Sequence, residues 1–528
     1  MGRLTIRFAD SLQSLAVPTH KMPRFHGEAS SEQPRASLKD ETMKRKSGAI
    51  FAVVAACGAH AALAADEPSP WWRVQDQAGL ADALKEYGIT IQAMNKDAEA
   101  FERRSQNKSD PLYWLRRSVD IYGNAHSGEY RIPITETHGN AKRRMTSFGR
   151  TGYFPTDRFV SPGNEISVRL ARPLPVGVAC TVSTATDMNQ ENHIFEPVVL
   201  RYGADTVYKP ARAGTLMFEC REASENMVHV GEKAVIHVAS GGQSVPMFVF
   251  GVTPSAQWKS MAIQPNPLGQ VILFGGRTRF YVPATKARNA VGMDIAGFMR
   301  QHLAVTMSND RANGFDDQSG PLHEPTQSLI NASYAACCNA VGTLGQIRIG
   351  FSGSPKSNTG WGDWHEYGHQ YQLGWSWKAL VETSVNINSL VSCKAIKGNV
   401  PLKECSTNKS VAEMTWSTRA VPDFIASGQR YNFDQMGAGT EFVRLKMFAE
   451  LLFSYEHLYA DLGWAYREAY NRGQGSAQFN TDVKKKDWFV VNASRFSGHD
   501  LRVFFDHWGL KYSAQADAAV ARLGLPAP

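Results

Sequence analysis

Four features are missing from this sequence, and each absence disfavours a class of protein. No hydrophobic run beyond residue 64 is long enough to cross a membrane, so we expect no membrane-spanning helix there. No CxxC pair is present, which disfavours a zinc site built on thiolates. No GxSxG motif is present, which disfavours a serine hydrolase. Low-complexity tracts are also absent, and 43% hydrophobic with 20% charged residues is typical of a folded protein.

The chain also has little net charge. Its 57 basic and 49 acidic residues give a formal charge of +8. Residues 1–64 hold 9 of the basic and 5 of the acidic residues, so the surplus in the remainder is four. Such a small surplus gives no reason to expect nucleic acid as a partner.

The N-terminal part of the sequence predicts export. Met43 to Lys46 is a short basic segment, and the apolar run after it ends in small residues at Ala64. This is the pattern of a secretory signal peptide over residues 43–64. It predicts that translation starts at Met43, that residues 1–42 are an upstream extension, and that the protein is periplasmic or secreted. A lipobox-like Val54 to Cys57 offers the alternative of a lipid anchor through Cys57.

Cysteine usage agrees with export. Six cysteines follow the predicted signal peptide, and an even number in an exported chain suggests disulfides. Proximity in the sequence favours Cys180–Cys220 and Cys393–Cys405. The adjacent Cys337 and Cys338 stay without an assigned partner.

The periodicity of apolar residues changes twice along the chain, which predicts an α+β protein of several domains. Residues 65–148 have helical spacing, whereas residues 149–280 contain short β-branched runs separated by turn residues. The second region therefore predicts an antiparallel, sandwich-like β domain. Residues 281–528 return to a mainly helical pattern. A length of 528 residues fits two or three domains.

The segment GWGDWHEYGHQYQ, at residues 360–372, holds an HExxH motif. Residues four apart lie on one face of a helix, so His365 and His369 can bind one metal ion. Glu366 then faces a water on that ion and acts as its general base. The alternative is a structural helix whose two histidines are satisfied by other contacts.

Three features near this motif favour the metal site. Glu382 lies in a second helical segment and is the predicted third ligand, which leaves one position open for water. Asn386, one turn further on, and Gln372 are predicted to hydrogen-bond the outer nitrogens of the histidines. Gly368 costs about 1 kcal/mol relative to alanine in a helix, which predicts close packing at that position.

These segments resemble the enhancin-like zinc metallopeptidases, which include viral enhancins and bacterial mucin-degrading proteases. The likeness rests on the tryptophan-flanked HExGHxxQ pattern followed by VETSVNINSL, and it extends from about Gly149 to the C-terminus. It implies that His365, His369 and Glu382 bind one Zn²⁺ per chain with Glu366 as the base. It also implies a β-rich module on a mainly α-helical, gluzincin-type catalytic domain, and a glycoprotein or mucin-like substrate.

Other residues of the predicted cleft are less sharply defined. Trp361 and Asp363 are expected to line it, and Trp361 is equally consistent with core packing. Residues 345–351, GQIRIGF, are predicted to form an edge strand that pairs with an extended substrate. Four residues are candidates for stabilising the transition state: Tyr431, Tyr455, His457 and His499.

Two other functions remain open on the sequence alone. One is a gluzincin that cuts peptide bonds without any glycan requirement. The other is a carbohydrate-binding surface adhesin with a non-catalytic zinc site. An HExxH motif with a distant glutamate argues against the adhesin, because structural zinc sites usually close with a fourth protein ligand. We expect the protein to be a monomer.

Overall fold

The computed structural model describes most of the chain after residue 69. The described residues are 70–74, 76–137, 152–185, 194–224, 228–315, 329–331, 340–343, 346–349, 359–398, 404–405, 433–434 and 441–528. Residues Asp66–Pro528 form one compact unit. The predicted signal peptide, Cys337, Cys338 and Tyr431 lie outside the described residues.

Four short helices open the described chain, and the first turns of the last three are capped by side chains. They are α1 (Ala78–Lys85), α2 (Ile91–Lys96), α3 (Ala98–Gln106) and α4 (Pro111–Tyr122). Asp110 accepts a hydrogen bond from the Leu112 amide at the start of α4, where Pro111 has no amide hydrogen to satisfy. Leu80, Leu112 and their apolar neighbours are buried, so the helices pack on the main core through one face.

A nine-stranded sheet follows, with strand order β5-β4-β7-β1-β8-β3-β6, while β2 pairs with β7 and β9 pairs with β2. Its strands are β1 (Glu129–Thr135), β2 (Tyr153–Val160), β3 (Ile166–Leu170), β4 (Val178–Ala185), β5 (Ile194–Val199), β6 (Thr206–Tyr208), β7 (Gly214–Glu222), β8 (Lys233–Ser240) and β9 (Gln243–Ser244). Its described strand pairings are antiparallel except that of β1 with β7.

Strand β1 links the two halves of this sheet. Its first five residues pair with β8, and Ile134 and Thr135 pair with β7. The region 65–148, which its periodicity predicts to be helical, therefore also supplies a central strand. Ile132 and Ile134 are buried in the β core, so this strand is held by tertiary packing.

A second, six-stranded sheet has the order β10-β11-β12-β13-β15-β14. Its strands are β10 (Met247–Val249), β11 (Gln270–Phe274), β12 (Arg279–Pro283), β13 (Leu329–Asn331), β14 (Ala340–Thr343) and β15 (Gln346–Ile349). Along β11, Ile272 and Phe274 join the core of the first sheet, whereas Val271 and Leu273 join the core made with the helices. Because side chains alternate along a strand, this sheet separates the β-rich part from the helical part.

The remaining helices build the helical part. They are α5 (Trp258–Ile263), α6 (Ala284–Asn289), α7 (Ile295–Ala312), α8 (Trp361–Tyr371), α9 (Val381–Lys397), α10 (Glu441–Ser454), α11 (Leu458–Asn471), α12 (Gly475–Gln478), α13 (Asp482–Ser497), α14 (Arg502–His507) and α15 (Ala514–Ala521). Leu390 of α9, Leu445 of α10 and Phe489 of α13 share a further buried core. No helix among the described residues is both long enough and apolar enough to span a membrane.

The α+β class is confirmed, while the sandwich packing and the domain boundaries stay predictions. The expected boundary at residue 280 falls inside β12. Both predicted disulfides are present: Cys180–Cys220 joins directly paired residues of β4 and β7, and Cys393–Cys405 ties the last turns of α9 to residue 405.

Candidate metal centre

The HExxH segment forms α8, and its sequence explains where the helix begins and which face it buries. Asp363 accepts a hydrogen bond from the Gly360 amide at 3.0 Å and so caps the first turn. Trp364, Tyr367 and Tyr371, spaced three and four apart, are buried against the core. The two histidines lie off this buried face and are only partly buried. The core therefore orients the helix so that its imidazoles face away from the packed side.

Gly368 allows α9 to pack directly against α8. A Cβ atom at this position would lie 2.6 Å from the carbonyl oxygen of Val385 and 2.8 Å from its side chain. Real side-chain carbons do not approach a backbone oxygen so closely, so only glycine permits this helix separation. The close packing predicted for Gly368 is confirmed, and it brings the first turns of α9 beside the two histidines.

The three predicted ligands converge. Glu382 Oε2 lies 3.2 Å from His365 Nε2 and 3.7 Å from His369 Nε2. Two ligands about 2 Å from a tetrahedral ion stand roughly 3.3 Å apart, so these separations fit a shared divalent cation. The donor atoms of His365, Glu366 and His369 also lie within 4.8 Å of one another. Two imidazoles with a carboxylate form a donor set that suits zinc and similar transition ions.

Glu366 and Glu382 occupy different environments. The Glu382 side chain is 65% exposed and lies within 3.7 Å of both Nε2 atoms, which suits a ligand on the solvent side of a metal site. Glu366 is only 7% exposed and sits on the metal helix itself. This arrangement agrees with the prediction that Glu382 is the third ligand and Glu366 the base, and both roles stay predictions.

The outer nitrogens of both imidazoles face side-chain amides. His365 Nδ1 donates to Asn386 Oδ1 at 2.9 Å, and His369 Nδ1 donates to Gln372 Oε1 at 3.3 Å. These bonds leave both Nε2 atoms directed toward Glu382. The predicted positions of Asn386 and Gln372 beside the two rings agree with this geometry.

The charges of the site are strongly coupled. Burial opposes protonation of His365, but the hydrogen bonds that its ring donates to Glu382 and Asn386 and the charge of Glu366 outweigh burial and raise the pKa of His365. Burial, with the charge of His365, lowers the pKa of His369. The hydrogen bond from His365 lowers the pKa of Glu382 against the effect of its own partial burial. A cation held by these residues would compete with the proton that lies between His365 and Glu382.

A buried ion pair holds the C-terminal end of α8. Arg277, in the turn between β11 and β12, donates to both carboxylate oxygens of Asp310 on α7, at 2.8 and 2.7 Å. Tyr371 accepts from Arg277 at 2.9 Å and donates to Asp310 at 2.8 Å. These hydrogen bonds therefore connect the last turn of α8 to the six-stranded sheet and to α7.

A second buried contact lies beneath the middle of α8. His302 Nδ1 is 2.8 Å from the Tyr367 hydroxyl, and burial lowers the pKa of His302 to about 3. His302 is therefore neutral near pH 7. Sequence reasoning missed His302, Arg277 and Asp310, because their partners lie tens of residues away and no short motif links them.

The predicted cleft residues have mixed outcomes. Asp363 caps α8, and Trp361 packs partly against both the main and the C-terminal helical cores, so their contact with substrate stays a prediction. The strand predicted within residues 345–351 exists as β15, but it lies between β13 and β14. The assignment as edge strand was wrong, since β14 folds back through a hairpin and takes the outer position.

Three of the four candidates for transition-state stabilisation, Tyr455, His457 and His499, lie among the described residues of the helical part. The Tyr455 and His499 rings are 5.5 Å apart, and His499 Nδ1 donates to the Ser497 carbonyl. His457 directly precedes α11 and is exposed. Tyr455 also packs against the C-terminal helical core, and the His499 amide donates to the Ser494 carbonyl. A role for any of these residues in catalysis stays a prediction.

An HExxH helix, a distant glutamate and amide-bound imidazoles define the metal-binding site of a metallopeptidase. The chain belongs to the family Peptidase M60, enhancin and enhancin-like, whose model matches residues 241–509, just over half of the sequence. The family resemblance read from the motif is thereby confirmed. The chain matches no curated protein sequence at significant similarity.

Several solved structures share the fold. A metallopeptidase from Bacteroides thetaiotaomicron is 15% identical with a TM-score of 0.59, covering 78% of this chain and 72% of that one. A metallopeptidase in complex with Tn antigen is 15% identical with a TM-score of 0.57, covering 77% and 79%. IMPa from Pseudomonas aeruginosa, in complex with an O-glycopeptide, is 16% identical with a TM-score of 0.51, covering 76% and 52%. Likeness at these identities concerns the fold alone.

Proposed function

We propose that this protein is an exported, zinc-dependent endopeptidase that hydrolyses peptide bonds in O-glycosylated, mucin-like proteins. The observation that carries the proposal is the meeting of Glu382 Oε2 with both Nε2 atoms of the HExxH helix. Membership of the M60 family supports the peptidase class. Glycan-bearing substrates are supported by the two relatives of this fold whose structures hold Tn antigen and an O-glycopeptide.

The mechanism assigns one task to each residue of the site. His365, His369 and Glu382 would hold one zinc ion, which when bound supplies a water of lowered pKa and polarises the scissile carbonyl. Glu366 accepts the proton of the attacking water and passes it to the leaving amine. Burial of Glu366 limits its hydration, and its carboxylate oxygen lies within 4.8 Å of the donor atoms of His365 and His369. No acyl-enzyme intermediate forms, because the nucleophile is water.

Strand β14 supports a route for substrate binding. It is the outer strand of the six-stranded sheet and packs beside α8. An extended peptide that added to this edge would gain main-chain hydrogen bonds and run past the metal position. Trp361, at the start of α8, is the proposed aromatic contact for the substrate or its glycan.

Export is supported by the two disulfides as well as by the signal-peptide pattern. Cys180–Cys220 and Cys393–Cys405 suit an oxidising compartment. We propose a periplasmic or secreted monomer with one zinc ion, and keep lipid anchoring through Cys57 as the alternative.

The decisive test compares wild type with Glu366→Gln on a defined O-glycoprotein. The variant keeps the ligands, so zinc content measured by metal analysis should be unchanged, while the cleavage rate should fall by at least about 100-fold because the proton acceptor is lost. Mapping of new N-termini identifies the cut peptide bonds.

Two outcomes would correct the proposal in different ways. Full activity of Glu366→Gln would remove Glu366 as the base. Equal cleavage of the glycosylated substrate and of its enzymatically deglycosylated form would leave a peptidase without a glycan requirement.

A further inference from the structure

Helix α9 carries more of the metal site than its one ligand. Glu382, Ser384 and Asn386 occupy alternate positions in its first two turns. Glu382 faces both Nε2 atoms, Asn386 hydrogen-bonds His365, and Ser384 hydrogen-bonds Gln372, the partner of His369. Each histidine of α8 is thus connected to α9 by a side-chain amide.

The orientation of the Asn386 amide follows from its surroundings. Asn386 Nδ2 donates to the Glu382 backbone carbonyl at 2.8 Å, and a carbonyl can only accept. The amide oxygen must therefore face His365, where it also accepts from the Ser389 hydroxyl at 3.0 Å. His365 consequently carries a proton on Nδ1, which leaves Nε2 for a metal ion.

The orientation of the Gln372 amide follows from its hydrogen bonds in the same way, but different groups hold this side chain in place. Gln372 Nε2 donates to the Val381 carbonyl and, at 2.9 Å, to Ser384 Oγ. Its oxygen must therefore face His369 Nδ1. Gln372 follows the last residue of α8, so the helix ladder does not hold it, and Ser384 with Val381 supplies the anchor. Ser384 is buried and its hydroxyl also lies 2.7 Å from that of Ser376.

We propose that Ser384 is a positioning residue for His369, acting through Gln372 to hold the imidazole with Nδ1 protonated and Nε2 directed at the metal position. The inference rests on the proposed metal site and adds a residue that touches neither the ion nor the histidine. Its chemical basis is that hydrogen bonds to the outer nitrogen of a metal-binding histidine fix both its tautomer and its ring orientation.

The first experiment measures zinc affinity by chelator competition, without any substrate. Ser384→Ala should weaken zinc binding by at least about threefold, short of the 10- to 100-fold loss usual when a direct partner of a ligand is removed. Ser392→Ala is the matched control, because Ser392 is a buried serine of the same helix whose hydroxyl faces Asn309 at 3.4 Å, away from the ligands. Its zinc affinity should equal that of wild type.

The second experiment separates positioning from general stability. Gln372→Ala removes the residue through which Ser384 acts, so the double variant Gln372→Ala/Ser384→Ala should bind zinc no more weakly than Gln372→Ala alone. A purely structural effect of Ser384 would add to that of Gln372 instead.

Two results would overturn the proposal while leaving the peptidase assignment intact. One is an unchanged zinc affinity in Ser384→Ala, and the other is full additivity of the two substitutions. A wild-type protein that binds no zinc would remove the metal site itself and both proposals with it. Zinc binding without proteolysis would contradict only the proposed function.

Discussion

Replacing Gly368 by alanine tests how closely the two helices of the metal site must pack. The new Cβ would stand 2.6 Å from the Val385 carbonyl oxygen and 3.2 Å from the Asn388 Cβ. Ordinary carbon–oxygen contacts need about 3.3 Å. A backbone oxygen within a helix cannot rotate away, so α8 and α9 must separate by roughly 0.7 Å.

Two free-energy terms of opposite sign act on the metal-free protein. Alanine gains about 1 kcal/mol over glycine in a helix interior. Overpacking of a tight contact costs about 1–3 kcal/mol. The net change in the free energy of unfolding should therefore be a loss of roughly 0–2 kcal/mol.

The effect on the metal site should exceed the effect on stability. Ligand distances tolerate deviations of about 0.2 Å, so a shift of roughly 0.7 Å moves Glu382 and Asn386 out of range of His365. Zinc affinity should fall by about 10- to 100-fold, the loss seen when the partners of metal ligands are removed. Chelator competition measures the affinity, and urea unfolding of the metal-free protein measures the stability.

The chain offers a matched control on the same helix. A Cβ at Gly362 meets nothing within 4 Å, so Gly362→Ala should leave zinc affinity unchanged and cost no stability. If Gly368→Ala also kept wild-type zinc affinity, or raised stability by the full helix-propensity gain, the close approach of the helices would not be what sets the ligand geometry.

Two further predictions concern titratable side chains that are buried next to α8. The pKa of His302 is lowered to about 3 by burial, so its unfolded form binds a proton below about pH 6.5 while the folded form does not. Protonation of His302 therefore leaves the free energy of unfolding unaffected above pH 6.5. Below that pH it lowers the free energy of unfolding by about 1.4 kcal/mol per pH unit as the pH falls toward 3. Urea unfolding at pH 7 and 5 should show a steeper loss for wild type than for His302→Gln, and parallel losses would contradict the assignment. Asp310→Asn leaves the Arg277 guanidinium buried without its counter-charge and should lower the free energy of unfolding by about 3–5 kcal/mol, whereas a loss under 1 kcal/mol would show that the pair is solvated.

The core of the site could be predicted from the sequence because its residues are close together in the chain. The spacing of His365 and His369 follows from the 3.6-residue period of a helix, and Glu366 follows from its place between them. Gly368 predicted close packing because glycine destabilises a helix interior and is therefore expected where a larger side chain would not fit. Six cysteines allow fifteen pairings, so proximity could only favour the two cysteine pairs, and the structure decided them.

Features that depend on distant contacts could not be read in this way. Strand β1 follows four helices in the sequence, and its central place in the sheet is set by pairing with residues of β7 and β8 that lie 86 to 108 positions later. Strand β14, and not β15, lies at the edge of the sheet, because the hairpin places β14 on the outer side of β15. The spacing of apolar residues within a strand does not show where that strand lies in its sheet, so neither position could be predicted.

The sequence by itself determined which side chains could bind a metal ion and which carboxylate could move a proton, because those properties belong to residue types and to helical spacing. Only the tertiary structure decided that Glu382 reaches both imidazoles, that Ser384 supports Gln372, and that Arg277 holds the end of the metal helix. These contacts depend on how far apart two helices pack, and that distance is set by side-chain volume and buried hydrogen bonds across the whole fold.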